Sequence, residues 1–369
     1  MSEGGNDVSE PIPVLVAGDH FVLNRLLVEA LHEAGGPAAW RVRELELPWP
    51  HVPFGPIAEV REASGSEDRL IEALAGARVC LTQMAPLTRR VLEACPELEL
   101  FAVCRGGPVN ANLAAAAEHG VAVTFAPGRN AASTAEHTLA LMLAAMRRIP
   151  PAHESMLAGR WDGGGYAYDA AGLELAGRTV GLVGAGAVGG RVATALLALG
   201  AHVLVADPYA DPAAMPAGVR MVGLPELLAS STVVSLHARL TAETTGLIGT
   251  AELAAMPPGS VLVNCARGAL LDYGALAAAL RNGHLFAAGL DVYDVEPLPP
   301  DHPLHGAPGL VLTPHLAGAS RAVAERAARM VAAEATRWLH GEPPLHQATE
   351  PPRSAGAAPS PTRPRTVPR

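Results

Sequence analysis

A glycine-rich turn after an apolar run constrains the fold of this chain more than any other segment. The residues TVGLVGAGAVGGRVATALLALG begin at Thr179, and Gly184, Gly186 and Gly189 follow the predicted strand 180–183. In a strand-to-helix unit with this G-x-G-x-x-G spacing, the first glycine allows the tight turn and the second lets a pyrophosphate approach the backbone. The third lets helix and strand pack closely. The segment therefore predicts a dinucleotide-binding unit in a parallel sheet.

A carboxylate follows at the position that selects the dinucleotide. Residues 202–206 form the next predicted strand, and Asp207 stands at its end, 18 residues after Gly189. A carboxylate there accepts hydrogen bonds from the adenosine ribose hydroxyls and repels a 2′-phosphate. The helix that starts at the glycines supplies N–H donors and a positive partial charge for the phosphates. We expect the cofactor NAD rather than NADP.

Apolar runs and helical patterns alternate over the rest of the chain, which predicts parallel sheets covered on both faces. The 369 residues suffice for two domains. The predicted strands outside the glycine-rich unit are 14–17, 78–81, 98–103 and 121–125, and the predicted helices are 24–34, 87–94, 133–148 and 318–340. Residues 1–10 and the Pro- and Arg-rich tail, 346–369, are predicted to be disordered.

Composition excludes several function classes. All 27 basic residues are arginine, so the chain has no P-loop lysine, kinase lysine or Schiff-base lysine. The net charge of −9 argues against a nucleic-acid partner. Four scattered cysteines without metal-ligand spacing, the polar N-terminus and the lack of a membrane-length apolar run predict a cytoplasmic protein with reduced, buried thiols. We expect no metal site, and place Asp301, His302 and His305 in a solvated loop.

Three segments after the glycine-rich turn each end a predicted strand and carry a reactive side chain. They are VLVNCARGALLD with Arg267, AAGLDVYDVEP with Glu296 and LVLTPHLAGAS with His315. Ligands of such sheets bind at the carboxyl ends of the strands. Arginine can clamp a carboxylate, histidine can move a proton near neutral pH, and a carboxylate behind the histidine orients its ring. His237, at another predicted strand end, is a further candidate for the cofactor site.

The motifs GLVGAGAVGGRVA, ADPY, SLHARLTAETTGLIG, VNCARGALLD, GLDVYDVEP and TPHLAGAS occur in this order. Over residues 12–345 the chain resembles the D-isomer-specific 2-hydroxyacid dehydrogenases, which include phosphoglycerate and glycerate dehydrogenases. The resemblance implies an α/β fold of two doubly wound parallel-sheet domains. A Rossmann NAD-binding domain, 149–314, would be inserted in a flavodoxin-like substrate domain, 11–148 plus 315–345.

The resemblance also implies the roles of individual residues in the exchange of a hydride between NAD and a D-2-hydroxy acid. Arg267 would bind the substrate carboxylate, His315 would be the acid/base and Glu296 its partner. The loop 105–110 would offer N–H groups to the carboxylate, with Arg105, Gly106 and Gly107 as substrate residues. The expected cofactor residues are Gly184, Gly186, Ala187, Val188, Gly189, Asp207, His237, Cys265, Ala266, Asp291 and Gly318.

The substrate stays open at this level. Arg105, Arg129 and Arg239 could bind a second anionic group such as a phosphate or phosphonate, or could pair with local acids or face water. Two alternative functions use the same residues: a phosphite or phosphonate oxidoreductase of this fold, and an NAD-sensing, protein-binding corepressor. Glu296 disfavours a formate dehydrogenase, because those relatives usually carry glutamine there. The family commonly forms homodimers through the nucleotide domain and an arm at 135–178.

Overall fold

The computed structural model describes residues 10–50 and 52–349. Two compact units account for them. Unit 1 holds the described parts of Met1–Pro50, Phe54–Pro127 and Glu325–Arg369, and unit 2 consists of Gly128–Ala324 with a short piece near Val52. The main segment of unit 2 therefore interrupts unit 1 along the chain. Within the described part of the chain, no helix is both long and apolar enough to cross a membrane.

Unit 1 is built around a five-stranded sheet in which every neighbouring pair of strands is parallel. Its strands are β1 (Ile12–Gly18), β2 (Trp40–Glu46), β3 (Val79–Thr82), β4 (Leu100–Val103) and β5 (Ala122–Phe125). The connecting helices are α1 (Asn24–Gly35), α2 (Glu67–Leu74), α3 (Arg89–Ala94) and α4 (Leu113–Glu118). The order β2-β1-β3-β4-β5 is the flavodoxin-like order.

Unit 2 is built around a seven-stranded, all-parallel sheet in the order β12-β11-β10-β9-β6-β7-β8. The strands are β6 (Thr179–Val183), β7 (His202–Ala206), β8 (Val219–Met221), β9 (Val233–Leu236), β10 (Ser260–Asn264), β11 (Leu285–Leu290) and β12 (Leu310–Leu312). The helices are α5 (Ala131–Met146), α6 (Ile149–Leu157), α7 (Gly189–Ala198), α8 (Leu224–Ser230), α9 (Thr250–Ala255) and α10 (Tyr273–Arg281). The order reverses beside β6, as in a Rossmann sheet, which confirms the predicted fold class.

The last helix, α11 (Arg321–Leu339), leads to a short segment at the edge of the unit 1 sheet. Gln347 pairs antiparallel with Thr124 of β5, and buried Glu334 accepts hydrogen bonds from the N–H groups of Leu345 and His346. Residues 346–349 are therefore ordered, contrary to the predicted tail. Their backbone satisfies an otherwise open strand edge. The predicted disorder at 1–9 and 350–369 lies outside the described residues.

Most predicted elements occur within a few residues of their expected bounds, because buried apolar runs and amphipathic patterns specify them. Strand β2 was missed, since its sequence WRVRELE is mostly charged and half-exposed, as suits the edge of a sheet. Helix α5 packs against β10, β11 and α7 of unit 2. The sequence placed the domain boundary at 148, so it assigned this helix to the substrate domain. In the structure, unit 2 begins before the helix, at Gly128.

Candidate active site in unit 2

The glycine-rich turn lies at the switch point of the unit 2 sheet, between the end of β6 and the start of α7. Gly184 has φ of 98°, and a Cβ at this position would lie 2.7 Å from the backbone nitrogen of Ala238 on the neighbouring strand connection. A Cβ on Gly189 would overlap the carbonyl oxygen of Gly184. A Cβ on Gly186, by contrast, would meet no atom within 4 Å. The turn therefore has no room for a side chain at Gly184 or Gly189, whereas the space beside Gly186 is open.

Asp207 joins this turn to the end of β7. Its Oδ2 accepts the Ala185 N–H at 2.9 Å, and its Oδ1 accepts the Tyr209 N–H at 2.9 Å. Each carboxylate oxygen has a further lone pair available, so the carboxylate can still accept hydrogen bonds from ribose hydroxyls. Ala187 and Val188 lie just before the first turn of α7, where backbone N–H groups lack helical partners. These residues form a cradle suited to a dinucleotide.

His237 follows β9 beside the turn. Its Nε2 lies 3.0 Å from the hydroxyl oxygen of Ser235. Burial lowers the pKa of His237 to about 4, so the ring is neutral at physiological pH. Such a ring can line an anionic cofactor without adding charge. It is not suited to exchange protons near pH 7.

The main titratable pair of unit 2 is His315 with Glu296. His315 Nδ1 lies 2.8 Å from Glu296 Oε2, and Glu296 Oε1 accepts the Tyr293 N–H at 3.0 Å. The hydrogen bond to Glu296 raises the pKa of His315 above its ordinary 6.5, against the opposing effect of burial. Burial by itself raises the pKa of Glu296, but the His315 hydrogen bond and charge, helped by the Tyr293 N–H and Arg267, outweigh it and leave that pKa lowered. The pair therefore favours an imidazolium next to a carboxylate.

Arg267 stands after β10 with an exposed side chain. Its Nη1 donates to the Ala266 carbonyl at 2.6 Å, and its own carbonyl accepts from the Asn264 side chain at 3.0 Å. The positive charge of Arg267 acts on both Glu296 and His315, lowering the pKa of each. The three side chains predicted to work together thus share one electrostatic neighbourhood, and the exposed guanidinium can receive a carboxylate.

Asp291 is fully buried behind His315. It accepts the N–H groups of Leu316 at 2.7 Å and Ala317 at 2.8 Å, and the hydroxyl of Thr313 at 2.6 Å. His315 itself has φ of 55°, a left-handed conformation that residues other than glycine rarely adopt. Asp291, expected to meet the nicotinamide, thus holds the Thr313 side chain before His315 and the backbone after it in this structure.

Other residues predicted for the cofactor lie around this loop. Cys265 is buried directly after β10, and burial raises the pKa of its thiol to about 12, so it stays protonated. Ala266 follows it and is tied by its N–H to the Asn264 side chain. A Cβ on Gly318 would lie 3.0 Å from the side-chain nitrogen of Asn130, before α5. The prediction from sequence missed Asn264, Thr313 and Tyr293, whose contacts cannot be read from local spacing.

The arginines considered for a second anionic group lie in different settings. Arg105, in unit 1, forms an ion pair with Glu62, and its Nη1 lies 3.1 Å from the sulfur of Met84. Gly106 and Gly107 follow it in the loop after β4, where an added Cβ would meet no atom within 4 Å. In unit 2, Arg129 is half-buried just before α5 and Arg239 is exposed after β9. Glu62 thus already neutralises Arg105.

His302 corrects one expectation from the sequence. It is almost fully buried rather than solvated, and its Nε2 lies 2.9 Å from Asp294 Oδ1. Its ring also packs edge-on against Tyr273, with the ring centroids 5.8 Å apart. His302 therefore fastens the segment that carries Glu296. Among the described residues, no cluster of three metal-ligating side chains is present. The four cysteines, all described, are free and buried.

Comparison with known proteins identifies the family. Residues 139–317 match the family model described as D-isomer specific 2-hydroxyacid dehydrogenase, NAD binding domain. The chain is 36% identical over 285 residues to a glyoxylate reductase of Korarchaeum cryptofilum, covering 77% of this chain and 86% of that protein. The chain belongs to the D-isomer-specific 2-hydroxyacid dehydrogenase family. It contains the family's NAD-binding domain, in the part of the chain that carries the glycine-rich turn.

Two further relatives of this chain bear on its extent and fold. A D-3-phosphoglycerate dehydrogenase of Mycobacterium bovis is 40% identical over 292 residues, which are 78% of this chain and 54% of that protein. The chain thus spans about half the length of such relatives. The crystal structure of the TT0316 protein from Thermus thermophilus superposes with a TM-score of 0.74 at 34% identity, covering 92% of this chain and all of that one.

Proposed function

We propose that this dehydrogenase-family chain catalyses the reversible, NAD-dependent oxidation of a D-2-hydroxy acid to the 2-oxo acid. The observation that carries the proposal is the His315–Glu296 pair, at 2.8 Å and under the influence of the Arg267 charge, in the unit that holds the dinucleotide turn. A proton carrier and a carboxylate-binding cation are the two groups that this reaction requires of the protein.

The residues present fit NAD. Gly186 leaves open space in front of the turn, the start of α7 supplies N–H donors, and Asp207 supplies a carboxylate that repels a 2′-phosphate. The proposed cofactor residues are those predicted from the sequence, with Asp207 selecting NAD over NADP. The chemistry that a bound nicotinamide supplies is the exchange of a hydride with C2 of the acid.

The chain's own part in the reaction is to move a proton and to orient the acid. Neutral His315 accepts the hydroxyl proton at Nε2 during oxidation, and protonated His315 returns it during reduction. Glu296, bonded to Nδ1, holds the ring in the tautomer that leaves Nε2 free to accept. Arg267 binds the carboxylate and stabilises charge on the C2 oxygen. The N–H groups at Arg105, Gly106 and Gly107 are proposed as further carboxylate donors.

A homodimer belongs to the same proposal. In unit 2, four large apolar side chains between residues 149 and 172 are mostly exposed: Leu157 at 76%, Trp161 at 84%, Tyr166 at 94% and Tyr168 at 95%. Exposed apolar patches of this kind mark interaction surfaces, and a second copy of the chain is the proposed occupant. Sedimentation of the full chain, compared with Trp161→Ser and Tyr168→Ser variants, tests it. Wild-type dimers with monomeric variants support the proposal, and a monomeric wild type contradicts it.

The cytoplasmic location predicted from the sequence is proposed as well. Its support is the state of the four cysteines, which are free and buried, as expected where thiols are kept reduced. Cell fractionation of the source organism with an antibody against the chain tests the location. Recovery in a membrane or extracellular fraction would contradict it.

The decisive experiment follows the loss of NADH absorbance with a panel of 2-oxo acids. The panel includes glyoxylate, hydroxypyruvate, pyruvate and their phosphorylated or phosphonate counterparts, and NADPH is the cofactor control. We expect turnover of at least one 2-oxo acid with NADH in preference to NADPH. NADH binding without turnover of any acid contradicts the proposal and directs attention to phosphite oxidation or to a sensing role.

A second anionic group on the substrate is tested in the same assay with Glu62→Gln. The Glu62–Arg105 ion pair must be displaced before Arg105 can bind a phosphate. Removing the acid should therefore favour phosphorylated over neutral acids by a few-fold, about 1 kcal/mol for a partly exposed pair. An unchanged ratio assigns Arg105 to a purely structural pair with Glu62.

A further inference from the structure

Helix α5 reaches the loop that carries His315 through two side chains. Ser133 donates its hydroxyl to the Ala317 carbonyl at 2.9 Å, and His137 Nε2 lies 2.9 Å from the Thr313 hydroxyl oxygen. Ser133 and His137 are four residues apart, so they project from the same face of the helix. Thr313 and Ala317 are also four residues apart, and they flank His315. One helix face thus holds both ends of the loop.

The direction of the His137 contact follows from the chemistry of its neighbours. Thr313 has one hydroxyl proton, and it goes to Asp291 Oδ1 at 2.6 Å, because an ionised carboxylate only accepts. The Thr313 oxygen must therefore accept from His137, which carries its proton on Nε2. The same nitrogen lies 3.4 Å from Asp291 Oδ1. Among the described residues, His137 supplies the one histidine or arginine nitrogen within 4.0 Å of this buried carboxylate.

The loop needs such support because of its backbone. His315 is held at φ of 55°, and its N–H is turned back to the Thr313 carbonyl at 3.0 Å, which also accepts the Tyr293 hydroxyl at 3.0 Å. A non-glycine residue stays in this conformation only when its surroundings enforce it. Thr313 takes part in all of these hydrogen bonds, and His137 connects it to helix α5.

We propose that Ser133 and His137 are positioning residues that hold the Thr313–Ala317 loop so that His315 meets Glu296. The inference rests on the proposed function for the role of His315. Neither residue touches the reacting groups. His137 faces Asp291, and His315 is influenced by Glu296, Asp291 and Arg267. Loss of the α5 contacts lets the loop relax and lengthens the His315–Glu296 hydrogen bond.

The test measures the pKa of His315 directly, in protein labelled with ¹⁵N-histidine and free of nucleotide and substrate. The His315 signal is identified by its absence from the His315→Asn spectrum. Because the Glu296 hydrogen bond is the largest cause that raises this pKa, we expect His137→Leu to lower it toward the ordinary 6.5. His137→Gln, whose amide can still donate to Thr313, should keep the wild-type value. Ser133→Ala should give a smaller shift in the same direction.

Turnover and binding give the second readout. In the 2-oxo acid assay, kcat of His137→Leu should fall roughly 10-fold, a modest part of what misplacing a catalytic group can cost. NADH affinity should stay the same, and His137→Gln should restore kcat. His119→Leu, the same change at an exposed histidine of unit 1, is the matched control and should change neither the His315 pKa nor kcat.

A wild-type pKa for His315 in His137→Leu overturns the inference, even if the melting temperature falls, since that pattern means a merely structural role. Failure of His137→Gln to restore the pKa also overturns it. If His137→Leu does not fold, Ser133→Ala decides, and an unchanged His315 pKa in that variant overturns the inference. If no 2-oxo acid is turned over while the His315 pKa still shifts as expected, the proposed function fails, but the role of Ser133 and His137 in holding the loop stands.

Discussion

The nucleotide turn and the His315 loop, both in unit 2, are held in opposite ways. The turn is held over a short stretch of chain, where the Ala185 N–H donates to the side-chain carboxylate of Asp207, 22 residues away. The His315 loop is fixed by side chains from distant segments, including Ser133, 184 residues from its partner Ala317. The turn is a local motif that recurs in many sequences. The contacts of the His315 loop form only when the sheet and α5 have packed together.

The two regions also differ in what they offer a ligand. The turn presents N–H groups and empty space in front of Gly186, so its chemistry depends on the absence of side chains. The loop presents one titratable ring whose proton affinity depends on Glu296 and Asp291. Substitutions in the turn should therefore act on binding, and substitutions around the loop should act on proton transfer. Three predictions test this division.

The largest effect is expected at the ring itself. His315→Asn removes the proton carrier, so kcat should fall by roughly 100-fold or more, the usual contribution of a general acid–base group. NADH affinity, measured by quenching of protein fluorescence, should stay within a factor of about two of wild type, because the turn is untouched. Wild-type turnover in this variant would remove His315 from the chemistry.

The next largest effect is expected on NADH affinity, from a substitution in the glycine-rich turn. Gly186→Val adds a side chain where a Cβ meets no protein atom, so the melting temperature should change little. The new methyl groups occupy the space of the phosphates, and NADH affinity should fall by about 30-fold, or about 2 kcal/mol. Titration calorimetry measures the affinity. Gly283→Val, at another open glycine but one with φ of 76°, is the contrasting control, expected to lower stability without weakening NADH binding.

The smallest expected effect is a shift in the pH dependence of kcat/KM. The raised pKa of His315 keeps the ring protonated to higher pH, so reduction falls off only as pH rises through this pKa. Glu296→Gln removes the main cause of the raised pKa and should move that limb of kcat/KM to lower pH. The oxidation limb, which needs the neutral ring, should move in the same direction. Opposite shifts, or none, would show that another group titrates.

Much of the fold and part of the site follow from local patterns. Buried apolar runs such as VLVA at 14–17 and the glycine spacing at 184–189 predict their strands and turn, because only a few neighbours decide their conformation. The charged edge strand β2 and the ordered residues 346–349 could not be predicted, because pairing with β1 and β5 stabilises them. His302 was misplaced because Asp294 and Tyr273, which bury it, are brought to it by tertiary folding.

The sequence alone determined the chemical groups: the glycine turn with Asp207, and an arginine, a glutamate and a histidine that each follow a strand of one parallel sheet. Such residue types and spacings act locally, so they can be recognised without coordinates. The tertiary structure decided which oxygens of Glu296 and Asp291 meet which donors, and that α5 holds the strained His315 loop. These contacts join residues far apart in the chain, and only the packed sheet and helix bring their atoms within hydrogen-bonding distance.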